Sequence, residues 1–313
     1  MAGDLTVDLA GIELRNPLIL ASGVLGSKVS SLNRIAEHAG AVVTKSVSLK
    51  GRKGYDNPCV VNWRCGILNA VGLASPPAKE FAKELEGFNG KCPLIVSLFG
   101  SNLEEFEELV EIFHMADAFE LNLSCPHAEK AGLEIGRDVK LVERIVKAVR
   151  RKTDLPVFAK FSIHMDLLYV AKACEEAGVS GITAINTVKG MLIDVESRTP
   201  ILSHISGGVS GMAIKPIALK CVWDLYEVLG VPIIGCGGIT DWRDVLEFVL
   251  AGAKAVQLGS ALFFSIHVFE SISESLRSYL RARGEDLADL IGVAHNPFKL
   301  KKHHDRTCAS SAR

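Results

Sequence analysis

Residues 156–187 read PVFAKFSIHMDLLYVAKACEEAGVSGITAINT, and this stretch decides the fold class of the chain. Apolar runs rich in β-branched residues, Pro156–Ser162 and Gly181–Thr187, flank a helical pattern that ends near Gly178. Strands that read as nearly continuous apolar sequence are typical of parallel strands buried on both faces. The stretch therefore predicts a strand, a crossover helix and a second, parallel strand.

Further runs of the same kind bring the candidate strands to eight. They are Pro17–Ser22, Ala41–Ser46, Pro93–Phe99, Ala118–Ser124, Val231–Gly237 and Ala255–Ser260. Amphipathic stretches such as Leu103–Met115 and Val139–Val149 lie between them, with Asp138 and Asp241 as candidate N-caps. Eight strands that alternate with helices predict a closed (β/α)8 TIM barrel, and an open doubly wound sheet is the second interpretation.

The two ends of the chain complete the predicted organisation. Residues Leu5–Arg15 predict a β-hairpin that turns at Ala10-Gly11 and plugs the N-terminal end of the barrel. Residues 299–313 are basic and predict a disordered tail. No low-complexity linker divides the rest, so residues 1–298 are predicted to form one catalytic barrel domain.

Composition argues against several classes of protein. Lysine and arginine number 35 against 36 acidic residues, a balance that does not favour binding to nucleic acid or a membrane surface. The 8 cysteines form no Cys-x-x-Cys pair, which argues against a metal site and a disulfide scaffold. No signal peptide or membrane span is recognisable, so a cytoplasmic protein is expected.

Polar residues are concentrated at the carboxyl ends of the predicted strands, where barrel enzymes carry their active sites. Lys45, Asn122, Lys160 and Asn186 stand at or near such ends, and Cys125 follows the fourth strand. Lysine and asparagine inside apolar strands are costly unless they are paired. Each alone is compatible with a partnered structural lysine or a capping asparagine, but together they predict a site for a polar ligand.

Glycines follow the last two predicted strands, at Gly237-Gly238 and Gly259-Ser260. Many barrels bind phosphate with these two loops, because glycine lets main-chain N–H groups approach an anion. The segment Ser206–Gly211 is interpreted as a third loop of this kind. Such loops also occur as simple tight turns, but their positions favour a phosphorylated ligand or cofactor.

Three connections are too long to be ordinary links between barrel elements. They are Gly51–Leu73, Pro126–Gly136 and Lys189–Gly211. Connections in α/β units are usually short, and longer ones frequently carry function. We therefore expect these three segments to contribute to the site.

The order of these motifs resembles class 1 dihydroorotate dehydrogenases over about residues 5–265. Residues 120–126, which read ELNLSCP, are similar to the fourth-strand motif of that family, and Thr44-Lys-Ser46 is similar to its flavin-lysine segment. Further matching segments follow in the family order, namely Leu68–Leu73, Ile185–Thr187, Pro200–Leu202, Ser206–Pro216, Ile234–Ile239 and Leu258–Ser260. The Asn-Ala-x-Gly-Leu and Gly-Gly-x-Ser-Gly versions are most like subclass 1B.

The resemblance implies oxidation of dihydroorotate to orotate with FMN, in the de novo biosynthesis of UMP. It implies that Cys125 is the base that takes the C5 proton and that FMN accepts the C6 hydride. Lys45 is then expected between flavin and substrate, and Lys160 is expected to stabilise negative charge on the reduced ring. Subclass 1B also implies a homodimer joined to a separate iron–sulfur and FAD subunit, which passes electrons to NAD.

The resemblance further assigns binding residues. The cofactor-binding set is Ser22, Lys45, Ser46, Asn122, Lys160, Ile185, Gly211, Gly237, Gly238, Gly259 and Ser260. The substrate-binding set is Lys45, Asn69, Ala70, Val71, Gly72, Leu73, Asn122, Asn186 and Thr187. No metal ion is implied.

Some features keep alternatives open. His127 stands where most dihydroorotate dehydrogenases have asparagine, and dihydropyrimidine dehydrogenases share the Cys-Pro-His sequence, so reduction of uracil or thymine is the alternative function. Ser97 stands at a flavin-contacting asparagine of the family, and no role is carried over there. Fumarate is an alternative electron acceptor. A phosphosugar isomerase or aldolase, a dihydrouridine synthase and a non-enzymatic binding subunit are the more distant alternatives.

Overall fold

The computed structural model describes residues 2–123, 138–163 and 166–296. Its strands are β1 (Val7–Leu9), β2 (Ile12–Leu14), β3 (Leu18–Leu20), β4 (Ala41–Val43), β5 (Val60–Trp63), β6 (Gly66–Asn69), β7 (Leu94–Leu98), β8 (Ala118–Asn122), β9 (Val157–Phe161), β10 (Gly181–Ala184), β11 (Val188–Gly190), β12 (Ile193–Asp194), β13 (Thr199–Pro200), β14 (Gly207–Ser210), β15 (Ile233–Cys236) and β16 (Ala253–Leu258). Its α-helices are α1 (Val29–Ala36), α2 (Ala78–Leu85), α3 (Leu103–Ile112), α4 (Val139–Lys152), α5 (Leu167–Ala177), α6 (Lys215–Val228), α7 (Trp242–Leu250) and α8 (Val268–Arg283).

Strands β3, β4, β7, β8, β9, β10, β15 and β16 form a closed parallel barrel, in which each pairs with the next in this order. The barrel closes where β16 pairs with β3, with Val256 opposite Leu18. One α-helix follows each barrel strand, from α1 after β3 to α8 after β16. The predicted (β/α)8 barrel is therefore confirmed, each of the eight predicted strands contributes to it, and the doubly wound sheet is excluded.

Side-chain caps explain where several helices begin and end. Asp138 accepts a hydrogen bond from the N–H of Leu141 in α4, and Asp241 caps α7 in a reciprocal capping box with Asp244. A side-chain oxygen at this position satisfies N–H groups that the first helical turn leaves unpaired. Gly178 ends α5 with a φ of 101°, a conformation that a residue without a Cβ adopts at little cost. Both predicted N-caps are confirmed.

The N-terminal hairpin closes one end of the barrel. Strands β1 and β2 are antiparallel, and the turn between them uses Ala10 and Gly11 at φ values of 55° and 87°. Leu9 and Leu14 are fully buried and belong to one apolar cluster with inward-facing residues of the barrel strands, namely Ile19, Ala41, Val43, Ile95, Ala118, Phe158, Ile234 and Ala255. The predicted hairpin is confirmed, and its buried leucines fill the N-terminal end of the barrel.

Two of the three long connections form a second, four-stranded sheet in the order β11, β14, β6, β5. Within it β14 pairs antiparallel with β6, so that Ser210 lies opposite Ile67. The interpretation of Ser206–Gly211 as a loop is wrong in this respect, because Gly207–Ser210 is a strand of this sheet. The pairing joins segments that are far apart in the sequence, so no local pattern reveals it.

Several predicted features lie outside the described residues. They are Cys125, His127, the connection Pro126–Gly136 and the basic tail 299–313. The division into a catalytic domain and a tail therefore stays a prediction. Within the described ranges, no helix combines the length and the apolar character that crossing a bilayer requires.

Candidate active site

A cavity of about 530 Å³ opens at the carboxyl ends of the barrel strands. Its floor includes Lys160 of β9 and Gln257 of β16, and its wall includes Val60, Asn69 and Gly208 of the four-stranded sheet. The volume falls in the range of about 300–1,000 Å³ that binding pockets for small molecules and cofactors usually have. The barrel and the small sheet together enclose the one place in the described structure where most of the predicted site residues meet.

The predicted site residues converge on this cavity. Those that line it are Ser22, Lys45, Ser46, Asn69, Ala70, Val71, Gly72, Leu73, Asn122, Lys160, Ile185, Asn186, Thr187, Gly237, Gly238, Gly259 and Ser260. Gly211 does not line it but lies directly behind, since a Cβ on Gly238 would lie 2.8 Å from the Gly211 carbonyl oxygen. Cys125 belongs to the residues that the structure does not describe, and the chemical role of every residue here stays a prediction.

Other lining residues were not predicted from the sequence. Gln257 interrupts the apolar strand β16 in the way that Lys160 interrupts β9, so the same argument applied to it would have identified it. Tyr55 and His204 stack at the cavity wall with ring centroids 3.7 Å apart. They come from separate long connections, and no sequence signal relates them. Lys189 on β11 adds a further cation to the wall.

Ser46 is the centre of a buried hydrogen-bond network in the cavity wall. Its Oγ lies 3.1 Å from Ser22 Oγ and 2.9 Å from Ser97 Oγ, and it accepts a hydrogen bond of 3.1 Å from Asn122 Nδ2. Asn186 Nδ2 donates in turn to Asn122 Oδ1 at 3.5 Å. Because the Asn122 amide is fixed by bonds to both of its ends, its direction relative to the cavity is set before any ligand binds.

Lys160 carries a buried positive charge to the cavity floor. Its Nζ donates to Gln257 Oε1 at 2.5 Å and lies 3.6 Å from Glu120 Oε1, with both partners almost fully buried. Burial is the largest single influence and disfavours the ammonium, but the nearby acidic groups Glu120 and Cys236 together outweigh it and raise the pKa of Lys160 above its ordinary value. The cavity floor therefore presents an ammonium group, with the compensating carboxylate behind it.

Lys45 is a second cation in the cavity, with a different environment. Within the described residues its Nζ makes no hydrogen bond or ion pair, and a Cβ on Gly23 would lie 3.9 Å from it. Burial lowers the pKa of Lys45 below its ordinary value. An ammonium group without a protein counter-ion is suited to receive an anionic ligand.

The charged side chains among the described lining residues are all basic. They are Lys45, Lys160 and Lys189, and no lining residue in the described ranges is a carboxylate. A low-dielectric cavity that holds charges of one sign concentrates ligands of the opposite sign. The described residues also contain no group of three or more His, Cys, Asp or Glu side chains arranged to hold a metal ion. The cavity is therefore suited to an anionic organic ligand.

The glycine loops after β15 and β16 are suited to hold a phosphate. Gly237 and Gly238 have φ values of 129° and 75°, and Gly259 and Ser260 lead into a 3₁₀ helix over Ser260–Phe263. In the described structure, no protein acceptor is paired with the main-chain N–H groups of these four residues. Unpaired N–H groups beside a cavity are the donors that phosphate groups use.

Comparisons with known proteins agree with the motifs. A profile of the family described as Dihydroorotate dehydrogenase matches residues 4–280. The chain is 56% identical over 296 residues to a protein of Archaeoglobus fulgidus named "Dihydroorotate dehydrogenase B (NAD(+)), catalytic subunit", covering 93% of this chain and 99% of that one. Proteins of the same name from Pyrococcus furiosus and Methanocella arvoryzae are 50% and 44% identical, over 92% and 94% of this chain and 98% and 99% of theirs.

These matches extend over nearly the whole barrel and include every segment on which the resemblance was based. The predicted subclass is confirmed as well, since the relatives carry the B-type name. This chain belongs to the dihydroorotate dehydrogenase family, in the group of its B-type catalytic subunits.

Proposed function

We propose that this chain binds FMN in the cavity and there oxidises dihydroorotate to orotate, a step of de novo pyrimidine biosynthesis. The main support for the proposal is the cavity, found in a chain of the dihydroorotate dehydrogenase family. Among the described residues that line the cavity, the charged ones are basic. Two glycine loops with unpaired N–H groups adjoin it. Both the phosphate of FMN and the carboxylate of dihydroorotate are anions, so the cavity matches both in charge.

The described residues fit FMN. The N–H groups of Gly237, Gly238, Gly259 and Ser260 would hold its phosphate, because they have no protein acceptor and adjoin the cavity. Lys160 would lie against the ring system and stabilise negative charge there. When bound, FMN supplies the acceptor for the hydride that leaves C6 of dihydroorotate.

The remaining polar residues would orient dihydroorotate. The substrate is a carboxylated cyclic imide, which needs a cation for its carboxylate and amide groups for its ring edges. Lys45 supplies the cation, while Asn122 and Asn186 supply amides that are fixed by the Ser46 network. Residues 69–73 line the cavity as well. Space is tight at this loop, since a Cβ on Gly72 would lie 2.9 Å from the Tyr55 ring.

Cys125 is proposed as the base that removes the C5 proton while the hydride leaves C6. Cysteine acts in this way as a thiolate, and nearby cations favour the thiolate. Lys45 is a candidate for such a cation, because it lines the cavity at which β8, the strand that precedes Cys125 in the chain, ends. Proton and hydride removal from adjacent carbons produces the double bond of orotate.

Electrons are proposed to leave through a partner protein to NAD. The relatives are named as NAD(+) enzymes and as catalytic subunits, which supports a second subunit for this chain. We propose an iron–sulfur and FAD subunit in that position, a homodimer of the present chain, and a cytoplasmic location. Copurification of a flavin and iron–sulfur protein with the tagged chain from its own host would support this, and activity with fumarate alone would contradict it.

The experiment that tests the function compares two substrates. The purified chain is expected to be yellow, to release FMN on denaturation as identified by mass spectrometry, and to reduce an artificial acceptor with dihydroorotate. Turnover with dihydrouracil should be at least about 100-fold lower, because buried groups that bind the carboxylate would be left unpaired. Faster turnover with dihydrouracil would instead support reduction of uracil or thymine, and a colourless protein would contradict the flavin.

A further inference from the structure

A buried polar cluster lies beneath the cavity floor and is not explained by ligand binding alone. Glu120 of β8 is 1% exposed and does not line the cavity, yet it lies among residues of three other barrel strands. Its Oε2 accepts hydrogen bonds from Gln257 Nε2 at 2.5 Å and from Thr183 Oγ1 at 3.1 Å. Its Oε1 faces Lys160 Nζ at 3.6 Å. A carboxylate in the interior of a barrel is costly, so its presence calls for a specific reason.

The cluster has a fixed order of donors and acceptors. Lys160 donates to Gln257 Oε1, and the same amide donates through Nε2 to Glu120. Gln257 thus connects the ammonium to the carboxylate, and its amide has one possible orientation. The register brings the cluster together, since Lys160 lies between Asn122 of β8 and Thr183 of β10.

The charges of the cluster balance only if both ions are present. The titratable groups that act on Lys160 are Glu120 from β8 and the thiol of Cys236 from β15. Burial raises the pKa of the Cys236 thiol above its ordinary value, so this group stays neutral near pH 7. Glu120 is therefore the counter-ion of Lys160. Without it, an isolated buried ammonium would lose its proton.

We propose that Glu120, acting through Gln257, is a positioning residue that keeps Lys160 protonated and directed at the cavity, and thereby sets how readily the bound flavin is reduced. The inference rests on the proposed function, since it requires FMN above Lys160. Because Lys160 lines the cavity and Glu120 lies behind it, the flavin is closer to the positive member of the pair. The pair therefore favours the reduced, more negative flavin although its net charge is zero.

The test is a double-mutant cycle on the reduction potential of bound FMN, with variants Glu120→Gln, Lys160→Met and the double variant. We expect Glu120→Gln to lower the ratio of reduced to oxidised flavin at a fixed ambient potential by about tenfold at pH 8. For a two-electron couple this is about 30 mV. In the Lys160→Met background the same substitution should no longer lower the ratio, because no ammonium remains for Glu120 to hold in place.

Other outcomes of the double-mutant cycle would overturn the inference. If Lys160 stays charged without Glu120, removal of a negative charge raises the ratio, and that result would overturn the inference. Equal shifts in both backgrounds would also overturn it. If Glu120→Gln does not fold, Thr183→Val provides a milder test, because it removes one hydrogen bond from Glu120. It should lower the ratio of reduced to oxidised flavin, by less than Glu120→Gln. An unchanged ratio in Thr183→Val would contradict the inference.

A matched control uses a carboxylate at the other end of the barrel. Glu175 accepts from the N–H groups of Gly230 and Val231, just before β15 begins, and pairs with Lys172. Glu175→Gln should leave the flavin potential unchanged. A wild-type chain that binds no FMN would overturn the proposed function together with this inference. If the wild type binds FMN and oxidises dihydroorotate, but Glu120→Gln shifts the potential equally with and without Lys160, this inference alone is overturned.

Discussion

The inside of the barrel contains two layers of opposite chemistry, although the same strands build both. The lower layer is apolar and includes Ala118, Phe158, Ile234 and Ala255. The upper layer is polar, and its residues stand two positions later on the same strands, namely Glu120, Lys160, Cys236 and Gln257. Successive inward-facing side chains of a strand are two residues apart, so one step along each strand separates the packed core from the cavity floor.

This difference shows how stability and chemistry are divided in the molecule. The lower layer is sealed by Leu9 and Leu14 of the hairpin and holds no charge. The upper layer holds the ion pair of Lys160 and Glu120, to which the Gln257 amide and the Thr183 hydroxyl are hydrogen-bonded. These polar partners make the buried charges tolerable. Substitutions in the lower layer should therefore change stability, and substitutions at the cavity should change activity.

The largest effect is expected at Cys125, the proposed base. Replacement Cys125→Ala should lower kcat for dihydroorotate by about 10²–10⁴-fold, which is the usual contribution of a general base. The flavin spectrum and the thermal midpoint should remain those of the wild type. Cys65→Ala, which removes a cysteine that does not line the cavity, serves as the control. An unchanged kcat in Cys125→Ala would contradict the assignment.

The next largest effect is expected in the apolar layer. Phe158 is fully buried, and Phe158→Ala should lower the free energy of unfolding by about 3–5 kcal/mol because it leaves a cavity. Chemical denaturation measures the loss. In the molecules that remain folded, FMN per chain and kcat should stay close to the wild type. A large loss of kcat at full FMN occupancy would show that the two layers are not separate.

A smaller effect concerns the pH dependence that Lys45 confers. Because burial lowers the pKa of Lys45, its ammonium is lost at a lower pH than for an ordinary lysine. We expect kcat/KM for dihydroorotate to fall on the alkaline side, by at most about tenfold per pH unit. Lys45→Arg keeps the charge at all accessible pH values and should remove this alkaline limb. An alkaline limb that persists unchanged in Lys45→Arg would assign it to another group.

The smallest effect is expected at Asp244, in the first turn of α7, the helix that follows the glycine loop of β15. Its carboxylate accepts hydrogen bonds from Lys215 Nζ at 2.7 Å and from Thr240 N at 2.7 Å. Burial alone would raise the pKa of Asp244, but these hydrogen bonds hold it below its ordinary value of 3.8. Asp244→Asn should therefore destabilise the fold by about 1–3 kcal/mol near pH 7.

The pH dependence of this difference has a definite sign. A carboxyl whose pKa is lower in the folded state stabilises the fold above its unfolded pKa, and this contribution is lost as the pH falls through the folded value. The free energy of unfolding should be measured from pH 7 to pH 3 for wild type and Asp244→Asn. The difference between the two should narrow only below about pH 4. A gap that is constant to pH 3 would show that hydrogen-bond geometry, and not charge, is responsible.

The sequence predicted the barrel because each buried parallel strand is a continuous apolar run. It overestimated the strand ends, as at Ala41–Ser46, where the strand stops at Val43. Lys45 and Ser46, which were predicted as part of the strand, line the cavity instead. The overestimate therefore occurs where the chain changes from packing to function.

Other features of the site could not be predicted in this way. The four-stranded sheet depends on pairing between distant, glycine-containing segments, such as Gly208 opposite Asn69. The stacking of Tyr55 on His204 depends on the same long-range pairing. The Glu120 cluster depends on barrel register, and the sequence marks Glu120 only as the first residue of the family motif at 120–126. Local patterns do not contain this information, because it arises when the barrel closes.

The proposed function requires that the polar layer holds a flavin that takes a hydride from dihydroorotate. Its most direct test is anaerobic addition of dihydroorotate to the purified, FMN-loaded chain, with the flavin absorbance and orotate followed together. We predict that the flavin band bleaches and that one orotate forms per FMN, while dihydrouracil leaves the band unchanged. A flavin that stays oxidised with saturating dihydroorotate would exclude the proposed function.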